Sequence, residues 1–142
     1  MKITIATSPE AKALCYRLRH IVFVEEQKVP VELEIDDHDE NGAIHFLGRV
    51  EGEPVAASRL CLFGEVAKIQ RVVVLKDYRS KNYGREIMQH MLDYIRKNKV
   101  APTIALDAQT YALPFYEGLG FVVEGDEFDD AGIPHSYMSQ PA

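Results

Sequence analysis

The sequence predicts an α/β (α+β) fold with a mixed, mostly antiparallel central sheet in the order β-α-β-β-β-α-β-α-β-β. Two observations support this class. Three strand-like runs between residues 43 and 75 follow one another with only tight turns between them, which favours antiparallel pairing. A single amphipathic helix then separates the run at 66–75 from the run at 103–108, so these two strands should lie parallel. A length of 142 residues suits one domain, covering 1–142.

The first third of the chain predicts a strand, a helix and an acidic loop. Residues 2–6 form the strand, and Ser8 caps a helix that begins at Pro9 and runs to about Val24. Residues 25–42 carry eight carboxylates without a clear period, which indicates a loop with a short helical turn. We expect most of these carboxylates to be solvated, and the alternative is an acidic wall that attracts a cationic amine. The acidic run at 36–39 predicts no metal site, because adjacent residues rarely converge on one ion.

The central strands and the last elements follow from apolar patterning and turn residues. Strands are predicted at 43–50 and 54–62, and the near-continuous apolar run within 66–75 is typical of a strand buried on both faces. The amphipathic helix after it ends near Lys99. A second helix is predicted at about 112–119, stopped by Gly120, and a final hairpin pairs 121–123 with 135–138.

A basic loop joins the strand at 66–75 to the amphipathic helix. Residues 76–99 hold seven Lys or Arg against three acids, on a chain whose net charge is −6. The first N–H groups of a helix lack partners and carry partial positive charge. This loop therefore predicts a site for a phosphate-bearing ligand, with an ordinary solvated turn as the alternative. Neither the Walker nor the Rossmann glycine pattern is present.

Composition excludes several classes of function. The net charge of −6 argues against general nucleic-acid binding, and no stretch is apolar enough for a membrane span. Cys15 and Cys61 are far apart and form no Cys-x-x-Cys pattern, so a reduced, cytoplasmic setting is expected. The sequence leaves the oligomeric state open, with a homodimer as one alternative.

Two motifs resemble those of the GNAT superfamily of N-acetyltransferases. Arg79-Ser80-Lys81-Asn82-Tyr83-Gly84 resembles the pyrophosphate loop Gln/Arg-x-x-Gly-x-Gly/Ala, with Asn82 in place of a glycine. Asparagine tolerates left-handed φ, so the loop should keep its shape, although the added side chain would crowd the phosphates. Residues 115–121 are similar to the later family pattern hydrophobic-Tyr-x-x-Leu-Gly-Phe, and residues 23–30, 108–109 and 133–135 are similar to a bacterial branch of small acetyltransferases.

The resemblance implies a GNAT fold with a V-shaped splay between the strands at 66–75 and 103–108, caused by a bulge. It implies acetyl-CoA as the co-substrate, no metal, and a small-molecule or peptide amine as the acceptor. Tyr116 corresponds to the general acid that protonates the leaving thiolate. The residues that correspond to the cofactor-binding set are Val72, Val73, Val74, Arg79, Ser80, Lys81, Asn82, Tyr83, Gly84, Arg85, Gln109 and Tyr116.

The general base is the least determined part of this interpretation. Many relatives have a glutamate on the strand before the loop, where this chain has Gln70, whose amide does not accept a proton. Glu26, Asp36 and His45 are the candidates, and deprotonation through water is an equal alternative. Gln70 and Asn82 also favour a second hypothesis, a CoA-binding module without turnover. A third hypothesis is an interaction domain that binds no nucleotide.

Overall fold

The computed structural model describes residues 1–142 and contains one eight-stranded sheet and four α-helices. The strands are β1 (Lys2–Ala6), β2 (Ile44–Val50), β3 (Glu53–Phe63), β4 (Val66–Val74), β5 (Thr103–Gln109), β6 (Val122–Val123), β7 (Phe128–Asp130) and β8 (Ile133–Pro141). The helices are α1 (Pro9–Arg19), α2 (Val31–Glu34), α3 (Tyr83–Lys97) and α4 (Leu113–Glu117). A π-helical segment (His20–Glu26) extends α1, and 3₁₀ turns lie at Asp37–Asp39, Lys76–Tyr78 and Thr110–Ala112. None of the helices combines the length and apolar character needed to cross a membrane.

The strand order is β1-β2-β3-β4-β5-β8-β6, with β7 paired to β8. Only β4 and β5 are parallel, and every other pair is antiparallel. This arrangement confirms the predicted fold class and the parallel placement of the two central strands. The predicted hairpin turn after β2 is also present, with positive φ at Glu51 and Gly52, the backbone geometry that matches the twist of flanking strands.

The end of the chain differs most from the prediction. Strand β7 was not predicted, because its sequence Phe128-Asp129-Asp130 is exposed throughout and shows no apolar alternation. Strand β8 is longer than the predicted 135–138, and α4 ends at Glu117 rather than near Leu119. Gly120 takes a φ of +97° just after α4, consistent with its predicted role in stopping the helix.

Apolar residues pack on both faces of the sheet. On one face α3 contributes Ile87, Met88, Met91, Leu92 and Ile95, all of which are fully buried. On the other face the apolar side of α1, with Cys15 and Leu18, packs over β1, β2 and β3. Both cysteines are free and buried, and burial raises the pKa of the Cys15 thiol to about 11, so this thiol is inert.

A β-bulge divides β4 into two halves. Ala57 of β3 pairs with Val73 and Arg59 pairs with Gln70, so Arg71 and Val72 together oppose the single residue between them. Arg71 takes a φ of +55°, an uncommon conformation for a residue with a side chain. The extra residue reverses the alternation: Ile69 faces the α3 core, whereas Val73 joins the α1 core. The prediction that this strand is buried on both faces was wrong, since residues 70–72 are only half-buried.

The two parallel strands separate beyond their first residues. Strands β4 and β5 pair only from Val66 with Thr103 to Lys68 with Ala105. Past that point the β4 edge that faces β5 has no strand partner, which confirms the predicted V-shaped splay. The opening between the strands is the cleft described below.

A network of buried charges holds residues 34–39 against the sheet. Arg19 donates to a carboxylate oxygen of Glu34 at 2.6 Å and to one of Asp39 at 2.6 Å. Arg59 of β3 also donates to Asp39, at 2.9 Å. Each of these four side chains is at most 3% exposed. The prediction of a solvated acidic loop was wrong for Glu34 and Asp39, because two arginines from distant elements neutralise them.

Removal of one member of this network should destabilise the protein strongly, because it leaves buried charges unpaired. The variant Arg19→Met leaves Glu34 and Asp39 buried without their main partner, and removing one partner of a buried pair costs about 3–5 kcal/mol. Urea denaturation should show this loss in the free energy of unfolding. Arg17→Met is the matched control, because Arg17 is exposed on the same helix, and exposed substitutions change stability by about 0.5 kcal/mol or less. Equal stability of the two variants would contradict this account.

Candidate active site

A cleft of about 200 Å³ lies where β4 and β5 diverge. Residues of both strands, the π-helical segment, α2, α4 and the β7–β8 hairpin line it. The residues on it that carry polar or aromatic groups are Phe23, Gln27, Glu34, Gln70, Arg71, Asp107, Gln109, Tyr111, Tyr116, Asp130 and His135. Among the predicted site residues, the cleft thus brings together Val72, Gln109 and Tyr116.

The basic loop before α3 presents a row of unpartnered backbone donors. The N–H groups of residues 80–85 make no hydrogen bond within the protein, and the first bond of α3 runs from the N–H of Glu86 to the carbonyl of Asn82. Ser80 and Asn82 take φ values of +63° and +68°. Such alternation of left-handed residues turns successive N–H groups toward one side. Together with the positive end of the α3 dipole, this geometry suits an anion.

Asn82 occupies the left-handed conformation that the sequence predicts for it. Its side chain makes no capping hydrogen bond to α3. Asparagine is one of the few residues other than glycine that adopts this conformation at modest cost. The loop therefore has the expected backbone shape without the family glycine. Lys81 and Arg85 are exposed beside it, Tyr83 begins α3, and Gly84 lies in its first turn with ordinary helical backbone.

Arg79 and Glu26 bind one another. The guanidinium of Arg79 donates two hydrogen bonds to the Glu26 carboxylate, at 2.6 and 2.9 Å, and a third to the carbonyl of Val74 at 2.9 Å. The hydrogen bonds from Arg79 hold the pKa of Glu26 below its ordinary value. Glu26 does not line the cleft. Its position and its weakened basicity both argue against Glu26 as the base.

The other two predicted base candidates also lie outside the cleft lining. Burial opposes ionisation of Asp36, but hydrogen bonds from Arg59 and the nearby charge of Arg71 lower its pKa overall. Burial lowers the pKa of His45, whose Nε2 lies 3.2 Å from the carbonyl oxygen of Asp39. Both groups are bound into the network beneath the cleft.

Hydrogen bonds hold the side chains of Gln70 and Gln109. The side-chain oxygen of Gln70 accepts two hydrogen bonds from Arg59, at 3.1 and 2.5 Å, so a cationic neighbour occupies its only acceptor atom. Gln109 donates from Nε2 to the side-chain oxygen of Gln27 at 2.8 Å, which ties β5 to the end of the π-helical segment. The side-chain oxygen of Gln109 accepts no hydrogen bond within the protein and could accept one from a ligand in the cleft.

Tyr116 stands at the wall of the cleft. Its ring makes edge contacts with Phe115 and Phe121, with ring centroids 5.0 and 6.2 Å apart. Enclosure by these and other protein atoms raises the pKa of Tyr116 to about 12. The hydroxyl therefore keeps its proton throughout the neutral range and acts as a hydrogen-bond donor.

The structure adds residues that the sequence analysis did not assign. His135 lines the cleft from β8, and Asp107 lines it from β5 in a salt bridge with Lys68 of 2.8 Å. Arg71, the bulge residue of β4, also lines the cleft. Alternation along β5 places Asp107 and Gln109 on one face, which was the available signal for Asp107. No group of three or more His, Cys, Asp or Glu side chains comes together in a form that suits a metal ion.

The sequence and the fold of this chain are both similar to those of known acetyltransferases. Residues 21–140 match the family described as the acetyltransferase (GNAT) domain. The uncharacterized N-acetyltransferase YjcF of Bacillus subtilis is 40% identical over 139 residues, which covers 97% of this chain and 98% of the relative. An acyl-CoA N-acyltransferase from Pseudomonas aeruginosa has a TM-score of 0.88 at 26% identity, over 99% of both chains.

A more distant structure shares the fold alone. It is an aminoglycoside 6'-N-acetyltransferase complexed with coenzyme A, with a TM-score of 0.75 at 16% identity over 99% of this chain and 97% of that one. The splayed central strands, the donor-rich loop at the start of α3 and the match over most of the sequence agree with one another. The chain belongs to the GNAT family of acetyltransferases.

Proposed function

We propose that this protein transfers the acetyl group of acetyl-CoA to a primary amine by direct attack in a ternary complex. The observation that carries the proposal is the row of free N–H groups at residues 80–85. Gly84 of this row lies beside Val74, at the end of β4, and beside Phe115, the neighbour of the cleft residue Tyr116. The CoA pyrophosphate would bind to that row. The pantetheine arm would follow the unpaired edge of β4 past Val72, Val73 and Val74. An aminoglycoside 6'-N-acetyltransferase of the same fold is complexed with coenzyme A, which supports CoA as the ligand.

The cleft supports a direct transfer. A neutral amine attacks the thioester carbonyl, and a free N–H on the splayed edge of β4 stabilises the oxyanion, because donors fixed in advance favour the charge that develops there. The carbon–sulfur bond then breaks and the thiolate leaves. A thiol has an ordinary pKa of about 8.5, well below the value of about 12 for Tyr116. Tyr116 would therefore stabilise the departing sulfur mainly through a hydrogen bond.

Gln70 supports the second candidate, a CoA-binding module without turnover. Its amide replaces a carboxylate, and its oxygen is already bound by Arg59. Without another base in the cleft, the amine would have no protein group to receive its proton. The two candidates differ in turnover and agree in CoA binding.

A thiol-release assay with acetyl-CoA separates the two candidates. Spermidine, kanamycin, lysine and a lysine-containing peptide serve as amines of different classes. We expect one or more of them to accelerate thiol release well above the rate without amine, and calorimetry to detect binding of acetyl-CoA. Binding without acceleration by any amine would favour the module without turnover. Absence of acetyl-CoA binding would overturn both and leave the interaction domain.

The variant Tyr116→Phe should lower kcat by about tenfold to a hundredfold, because it removes one hydrogen bond to the transition state. Acetyl-CoA affinity should stay within about twofold of wild type, since the ring and its packing remain. Tyr94→Phe is the matched control, because Tyr94 of α3 packs against Phe46 of β2, outside the cleft. Steady-state rates and calorimetry on both variants provide the measurement. Unchanged kcat in Tyr116→Phe would remove this residue from the mechanism.

The variant Asn82→Gly should preserve or tighten CoA binding. Glycine adopts the required positive φ without strain and removes a side chain from the mouth of the site. Asn82→Ala removes the same side chain but strains the left-handed backbone by roughly 1 kcal/mol, so it should bind CoA more weakly than Asn82→Gly. Calorimetric titration of both variants with CoA compares them. A large loss of affinity in Asn82→Gly would show that the asparagine side chain itself contacts the ligand.

A further inference from the structure

His135 is an ionisable residue of the cleft that has no role in the reaction described above. It lies on β8 and pairs directly with Gln109 of β5, so the two side chains share one face of the sheet. The residue is 8% exposed, and it lines the same cleft as Tyr116. Its ring is therefore enclosed by protein but reachable from the place where the two substrates would meet.

Two contacts fix the orientation of the His135 ring. Its Nδ1 lies 2.7 Å from the carbonyl oxygen of Ile133. A carbonyl oxygen only accepts, so Nδ1 must donate and must carry the hydrogen. The Phe128 ring stacks on the imidazole, with centroids 6.0 Å apart and an interplanar angle of 22°. In the neutral ring the lone pair is consequently on Nε2, and the ring plane is held by its neighbour.

The other ionisable groups that line the cleft are Glu34, Arg71, Asp107, Tyr111, Asp130 and Tyr116. Tyr111 is 77% exposed, so its side chain lies mostly in solvent. Asp107 of β5 is paired with Lys68, and Glu34 of α2 with Arg19. Arg71 of β4 is cationic, and its guanidinium binds the carbonyl of Glu34. Asp130 lies on the exposed strand β7. Tyr116 holds its proton too tightly to act as a base in the neutral range.

We propose that Nε2 of His135 is the general base of the transfer. This inference rests on the proposed function. The amine nitrogen forms a bond to the acetyl carbon and gives its proton to Nε2, and the carbon–sulfur bond breaks with both electrons going to sulfur. The thiolate, which accepts a hydrogen bond from Tyr116, takes a proton from solvent, and His135 later returns its own proton to solvent. Acetyl-CoA and an amine thus give an amide and free CoA, with no further reactant.

The variant His135→Asn tests this role, because its amide nitrogen can still donate to the Ile133 carbonyl while the Nε2 lone pair is lost. With the fastest amine of the panel, kcat should fall by about a hundredfold or more, and acetyl-CoA affinity should stay within about twofold. The rise of kcat with pH that an imidazole base produces should disappear, and added imidazole should restore part of the rate to His135→Ala. His20→Asn, an exposed histidine outside the cleft, is the control and should behave as wild type.

Three outcomes would overturn the proposal: kcat of His135→Asn within about threefold of wild type, a retained pH profile, or a rate loss that is matched by loss of acetyl-CoA binding. A measurement independent of turnover is the histidine tautomer, read from long-range proton–nitrogen NMR correlations of the wild-type protein. Hydrogen on Nδ1 of His135 is expected, and hydrogen on Nε2 of the neutral ring would overturn the assignment. If no amine is acetylated by wild type, the proposed function fails, and this role of His135 fails with it.

Discussion

The contacts of Arg71 connect the two features on which the cleft depends. This residue lies in the bulge of β4, just past the point where β4 and β5 cease to pair, and its backbone is left-handed. Its guanidinium donates to the carbonyl of Glu34 at 3.0 Å, at the end of α2. One residue therefore lies where the cleft opens and also fixes the segment that walls it. Strain at a bulge persists only where the surroundings over-determine it, and these contacts supply that constraint.

The buried charges beneath this wall serve specificity more than stability. Removing carboxylates and guanidinium groups from water is costly, and a buried ion pair often contributes no more than an apolar pair of the same size. Burial alone would raise the pKa of Asp39, yet hydrogen bonds from Arg19 and Arg59 hold it well below its ordinary value. Each of these charged side chains is thus fully paired in only one conformation of the segment. We infer that the network selects a single position for residues 34–39, and so a single shape for the rim of the cleft.

Charge is distributed unevenly around the proposed site. The chain as a whole is acidic, with a net charge of −6, whereas the loop before α3 carries exposed Lys81 and Arg85 beside free N–H groups. Arg79 does not add to this local charge, because Glu26 neutralises it. The arginine of the loop motif instead anchors the loop to the π-helical segment and to the end of β4. Backbone donors, rather than that side chain, are left to hold an anion.

Local sequence patterns were sufficient to predict most of the secondary structure and the shape of the loop before α3. The apolar stripe of α3, the cap of α1, the hairpin turn at 51–53 and the left-handed tolerance of Asn82 all depend on residues close together in the chain, so sequence was sufficient to predict them. The order of these elements and two short motifs also indicated the family. These features are encoded by periodicity and turn chemistry, which act over a few residues.

Tertiary structure alone decided the position of the bulge at Arg71, the burial of Glu34 and Asp39, the pairing of Glu26 with Arg79, and the placement of His135 in the cleft. Each depends on a partner far away in the chain. The sequence of an acidic loop does not indicate whether its carboxylates are solvated or paired with buried arginines. Likewise, a run of valines does not indicate the residue at which a bulge reverses the two faces of a strand. Only the fold brings those partners within a hydrogen bond of one another, and that proximity determines which carboxylates and imidazoles are free to react.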